Sequence, residues 1–133
     1  MRADPWEARR LLIVLMAPTQ RSSNVEVFGL AADATPEAVD ALFRRIGVYC
    51  HDSAAHGVIV RVHGALADSR EHLAKAIASL AYFGCPEGFK LAWIAPQRDA
   101  FETLVQTEYP ERRSGIQSRA FVEDMGARTW LSW

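Results

Sequence analysis

The sequence predicts an α/β fold: a mixed sheet of about five strands with four helices, in the order β-β-α-β-α-β-α-β-α. Three observations carry this. The apolar run Gly57–Val62 leads through an acidic turn, Asp68-Ser69, into a helical pattern reaching Phe83. A second run over residues 91–95 leads into a helical pattern reaching Tyr109, and a third over residues 116–122 leads into a short closing helix. Strands that alternate with amphipathic helices point to a sheet whose later strands run parallel beneath right-handed crossovers.

The first elements are less regular. Asp4-Pro5-Trp6-Glu7 has the chemistry of a helix start, since proline fits the first helical position and glutamate completes a capping pattern. Residues 11–16 (Leu-Leu-Ile-Val-Leu-Met) nevertheless have the length and composition of a buried strand, with a short helix over residues 4–16 as the alternative. Pro18 and the polar residues 20–24 form a loop. Residues 25–30 alternate Val25, Val27 and Gly29 against Glu26, Phe28 and Leu30, the pattern of a second strand antiparallel to the first.

Thr35-Pro36-Glu37 opens the clearest helix: threonine caps, proline pre-sets the first turn and glutamate faces the positive end of the dipole. Val39, Leu42, Phe43 and Ile46 share one face, and Gly47 is the expected stop. Arg61 stands inside an otherwise apolar strand and calls for solvent or a carboxylate on that face. Asp68 or Ser69 caps the next helix, with Asp68 and Glu71 as a capping box; Leu73, Ala76, Ile77, Leu80 and Ala81 form its buried stripe. Asp99 with Glu102 repeats the capping pattern, and Phe101, Leu104, Val105 and Tyr109 are expected to pack. Met125, Ala127, Trp130 and Leu131 belong to the last helix. Trp93 and Trp130 are core candidates, whereas Trp6 and Trp133 could cover a sheet edge or serve a homodimer surface.

Composition bounds the function. The 133 residues suit a single domain, with residues 1–9 as a candidate flexible end. Apolar residues make up 50% and charged residues 23%, with a net charge of −1 and the two signs interspersed. That balance argues against a broad nucleic-acid surface. Residues 11–17 are too short to span a bilayer and carry no small-residue cleavage signal, so a cytoplasmic chain is expected. Cys50 and Cys85 do not make a disulfide framework. Cys50-His51 and His56 lack the second paired spacing of a metal site, and no metal or cofactor is expected. No phosphate-cradling glycine loop occurs. Arg112 and Arg113 are expected to be solvated.

The joints between these elements carry a resemblance. Val27-Phe28-Gly29-Leu30 followed by Thr35-Pro36-Glu37, Val58 to Val62 followed by Asp68-Ser69, Leu91-Ala92-Trp93-Ile94-Ala95, and Arg119-Ala120-Phe121 through Trp130-Leu131 resemble the STAS domain, the fold of bacterial anti-sigma-factor antagonists. The likeness is nearest to the short stand-alone STAS-like proteins. It implies a non-enzymatic binding or regulatory module that meets a protein partner through Asp68, Ser69, Arg70 and His72. In the antagonist group it further implies a serine kinase, itself the anti-sigma factor, that phosphorylates the serine matching Ser69. The family usually continues Asp-Ser-Ser-Gly or Asp-Ser-Ala-Gly; this chain continues Asp68-Ser69-Arg70-Glu71, so two long charged side chains replace small ones.

The residues themselves leave other readings open. Ser69 at a helix start suits a phosphate, which would meet free N–H groups and Arg70, but a plain capping role accounts for it equally. His63 and His72 flank the same turn and could contact a ligand or simply lie at the surface. A small-molecule or lipid binder of the same fold is the alternative function. An enzyme would need His63, Asp68 and His72 to converge in a cleft.

Overall fold

A computed structural model of the chain describes residues 25–53, 55–108 and 115–133. Within them four strands, β1 (Val27–Leu30), β2 (Gly57–Val62), β3 (Lys90–Ile94) and β4 (Gln117–Phe121), alternate with four helices, α1 (Pro36–Ser53), α2 (Arg70–Ser79), α3 (Arg98–Thr107) and α4 (Asp124–Leu131). The sheet runs β1-β2-β3-β4, and every neighbouring pair is parallel. Each crossover therefore places the next strand on the same side of the last. The α/β architecture and the parallel run of the three later strands are as expected. The sheet described has four strands and no antiparallel pair; the fifth strand expected over residues 11–16, with the helix alternative at residues 4–16, Trp6, Tyr109 and Arg112-Arg113, lies outside the described residues.

Side-chain alternation divides the core into two layers. On one face Val58, Val60 and Val62 of β2 and Leu91 and Trp93 of β3 meet the apolar stripes of α1, α2 and α3. On the other, Ile59, Ala92, Ile94 and Phe121 meet Ala127 and Trp130 of α4. Trp93 is wholly buried against Phe43, and its indole Nε1 donates to Ser118 Oγ at 3.0 Å, which satisfies the one polar atom the ring carries inward. Arg61 belongs by alternation to the α4 face. There its guanidinium reaches Asp124 Oδ1 at 3.1 Å, in the first turn of that helix, and stays part-exposed, so the expected solvent and the expected carboxylate are both met. Outward-facing β4 is blunted at Ala120, whose N–H donates to Glu108 Oε1 at 3.0 Å.

Several local expectations give way to tertiary packing. Gly47 does not stop α1, which continues to Ser53 and carries Cys50, His51 and Asp52 in its last turns. The glycine serves close approach: a Cβ there would lie 2.4 Å from Phe83 Cβ. Helix α2 ends at Ser79, capped by Leu80, so Ala81, Tyr82 and Phe83 fall in a turn; Ala81 is exposed and Tyr82 is 92% exposed. Gln97, not Asp99, occupies the N-cap of α3, and Val105 is exposed because it falls off the buried stripe of Ala100, Leu104 and Thr107. The capping of α1 by Thr35 stands, with Oγ1 accepting from Ala38 N at 3.2 Å.

Gly47 yields a test. In a helix interior alanine normally gains about 1 kcal/mol over glycine. Here Gly47→Ala is expected to destabilise by about 1–3 kcal/mol through overpacking. Paired with Phe83→Gly, which removes the Cβ that the added methyl would strike, the same substitution should cost much less, read as a double-mutant cycle in urea denaturation.

Candidate functional site

Parallel strands bring the loops that follow β1 and β2 to one rim of the sheet. There the two loops are laced together: His63 N donates to Leu30 O at 2.9 Å, and Asp33 N donates to Ala65 O at 3.0 Å. Asp33 takes a left-handed conformation (φ 56°), which aspartate tolerates better than most residues. Gly64 does the same (φ 101°) and lets the second loop pass within contact of Ala32. The loop then turns at Asp68-Ser69 into α2.

At that turn the two candidate caps have separate work. Ser69 is the N-cap: its Oγ accepts from His72 N at 3.1 Å. The capping box expected between Asp68 and Glu71 does not form. The Asp68 side chain is 1% exposed, accepts from Ser69 N at 2.8 Å through Oδ1, and takes the ring Nδ1 of His72 at 2.5 Å through Oδ2. Glu71 instead meets Arg70 at 3.3 Å on the surface. A buried carboxylate needs partners, and Asp68 finds two, one of them ionisable.

His72 completes the arrangement. Its Nε2 faces Asp40 Oδ1 of α1 at 3.0 Å, so both ring nitrogens point at carboxylate oxygens. Only the doubly protonated ring can donate in both directions at once. The hydrogen bond to Asp68 accordingly raises the affinity of His72 for its proton above the ordinary histidine range; the ring's burial opposes this, and the charges of Asp68 and Asp40 reinforce it. The result is a latch, Asp40–His72–Asp68, that ties the first turns of α1 to the start of α2. Arg70 adds a second tie, donating to Gln106 Oε1 of α3 at 3.0 Å.

Of the four residues singled out in the sequence, then, Ser69 and Arg70 present their side chains to solvent, His72 is half-buried and Asp68 is turned inward. Asp40 was missed. It lies on α1 away from the apolar stripe, and its meeting with His72 depends on helix placement that no local pattern encodes. His63 does not join the cluster; a Cβ on Gly29 would stand 3.3 Å from its Nε2, so the imidazole lies against β1. Nor does His72 offer Ser69 a general base. The hydroxyl meets the backbone N–H of His72, while both ring nitrogens are committed to carboxylates.

A separate open cleft of about 580 Å³ lies beside β4, lined among others by Glu87, Glu108, Gln117, Arg119 and Trp130. Among the described residues no three His, Cys, Asp or Glu side chains are placed to hold a metal ion. None of the described helices is long and apolar enough to cross a membrane.

The latch makes stability depend on pH with a definite sign. Because the folded protein holds the His72 proton more tightly than the unfolded chain, the contribution is fully present below about pH 6.5 and is lost as pH rises through the folded-state value. NMR titration should place His72 above the ordinary value, and Asp68→Asn should bring it down. The same substitution is expected to cost about 1–3 kcal/mol, since it weakens a buried charge-assisted bond. His72→Gln should flatten this part of the stability profile in urea denaturation.

No protein-family model, curated protein or solved structure matches this chain.

Proposed function

We propose that the chain is a non-enzymatic STAS-like binding module of a bacterial regulatory pathway, which meets a protein partner through the beginning of α2. The observation that carries this reading is the pinned turn at Asp68-Ser69. It stands at the end of inner strand β2, its inward carboxylate is locked to His72, and Ser69 and Arg70 are left facing solvent. A rigid rim with two exposed polar side chains suits recognition, because little ordering entropy is spent on binding. The element order from β1 onward also agrees with the order expected from the second strand of a STAS-like chain.

In this reading the roles divide by burial. Asp68 and His72 position the turn; Ser69 and Arg70 make contact. A serine kinase acting as an anti-sigma factor is the partner class that the resemblance suggests, with Ser69 as the phosphate acceptor. Its hydroxyl lies at the surface at the start of α2, where a phosphate would meet the positive end of the helix dipole.

A small-ligand role has its own support in the cleft beside β4, whose volume falls in the range of ligand pockets. Native mass spectrometry of freshly purified protein tests it: a retained ligand favours this role, and the bare chain mass counts against it.

For the partner reading, candidate kinases and anti-sigma factors are assayed by co-purification and titration calorimetry. Arg70→Glu should weaken the complex by at least about tenfold, as reversal of a contact charge does. Ser69→Asp should weaken it too while leaving stability within about 0.5 kcal/mol, because aspartate also caps a helix. Unchanged affinity in both variants would remove this surface from the interaction.

A further inference from the structure

Cys50 and Cys85 come together at the opposite end of the sheet. Cys50 sits in the penultimate turn of α1, and Cys85 follows the turn that ends α2. Both are free and buried, and their sulfurs lie 3.0 Å apart although 35 residues separate them in the chain. A disulfide needs about 2.05 Å, so the gap to close is about 1 Å. The segment that has to move is short and irregular: residues 80–85 form a succession of turns, with Gly84 in a left-handed conformation (φ 96°) and Cys85 N bonded back to Leu80 O at 3.1 Å. The fold thus brings two thiols from separate elements into sulfur–sulfur contact and leaves one of them on a segment that can adjust.

We infer that Cys50 and Cys85 form a reversible thiol–disulfide pair that tethers the end of α1 to the turn after α2. With a small-molecule disulfide such as oxidised glutathione as oxidant, the step balances. The Cys50–Cys85 bond forms and the sulfur–sulfur bond of the oxidant breaks. Two electrons pass from the protein sulfurs to the oxidant, and the two thiol protons end on the two thiols released. Burial pushes the proton affinity of both thiols above the ordinary cysteine range, mainly through desolvation. Attack requires a thiolate, so exchange proceeds when the 80–85 turn opens, and the closed form shields the bond once made.

The consequence falls on an exposed aromatic turn. Tyr82 is 92% and Phe83 40% exposed, and Phe83 also wedges against Gly47 of α1. Oxidation fixes the far end of this turn to the same helix, so the redox state sets how firmly Tyr82 and Phe83 are held. This device is independent of the Asp68-Ser69 rim.

The test measures how readily the pair oxidises in the folded and in the unfolded protein. The full chain is equilibrated in buffers of reduced and oxidised glutathione, approached both from reduced protein and by refolding, so that burial cannot block the result. Acid quenching, alkylation and mass spectrometry then count free thiols, intramolecular disulfide and glutathione adducts. A parallel series in urea gives the same equilibrium for the unfolded chain. The folded pair should oxidise at least about tenfold more readily than the unfolded one, with the disulfide-linked form unfolding at correspondingly higher urea, since the two ratios are linked. Hydrogen exchange at residues 82–84 should slow in the oxidised form. An equal or lower tendency in the folded state, or accumulation of glutathione adducts without the internal bond, would overturn the assignment. Cys50→Ser and Cys85→Ser should each abolish the internal bond; if one fails to fold, the folded-against-unfolded comparison on the natural chain still decides.

Discussion

Parallel pairing of β2 between β1 and β3, with apolar side chains leaving both faces, is the constraint on which the rest of this molecule depends. Parallel strands cannot be joined by tight turns, so each pair requires a crossover, and each crossover here is a helix. Because Val58, Val60 and Val62 point one way and Ile59 the other, both faces must be covered. Of the described helices, three take one side and α4 the other. A one-residue slip of β2 would place Arg61 among the valines' partners and Val60 against α4. The contact of Arg61 with Asp124 makes that slip costlier still, because it would bury the guanidinium without its carboxylate.

That constraint also decides where chemistry can gather. All connections leaving the ends of parallel strands collect on one rim, and there the Asp68-Ser69 turn meets α1. The latch follows from burial. Asp68 is carried inward by the turn that lets Ser69 cap α2, and an inward carboxylate in a small domain must be answered. His72 lies one helical turn further on, which places its ring within reach, and Asp40 takes the nitrogen that remains. The latch is part of the framework, and the groups free to meet another molecule are those it leaves outside. A ring with both nitrogens engaged neither activates Ser69 nor accepts its proton.

Much of this was legible in the chain. The three later strands and α1 could be read because their patterns are long and periodic, with Thr35-Pro36 and Asp68-Ser69 marking helix starts by local chemistry. Arg61 called for solvent or a carboxylate, and it has both, with its side chain part-exposed beside Asp124. What local pattern could not show was contact across elements. Gly47 reads as a helix stop until Phe83 is seen to need its missing Cβ. Asp68 and Glu71 read as a capping box until the buried carboxylate is seen to have a better partner in His72. Asp40 and the sulfur contact of Cys50 with Cys85 arise only from the packing of α1 on α2 and the turn that follows it. The resemblance to STAS-like chains rests on short stretches at the joints, and these carry less information than the periodicity of the elements between them.

The two ends of the molecule share one helix, so a change at one could reach the other. Helix α1 has 18 residues, about 27 Å at 1.5 Å per residue, with Asp40 near its start and Cys50 near its end. It is buried along Val39, Leu42, Phe43, Ile46, Gly47 and Cys50, and at Gly47 the packing admits no extra carbon. The carbon that Gly47 lacks would strike Phe83 of the turn itself, so a displacement of about 1 Å at the sulfurs is taken up beyond Phe83. Gly84, in its left-handed conformation, and Cys85 absorb the change, and α1 stays in register with β1 and β2. Closing the thiol pair should then leave the Asp40–His72–Asp68 geometry intact, so that the rim keeps its shape in both redox states while the aromatic turn at the other end is held or released.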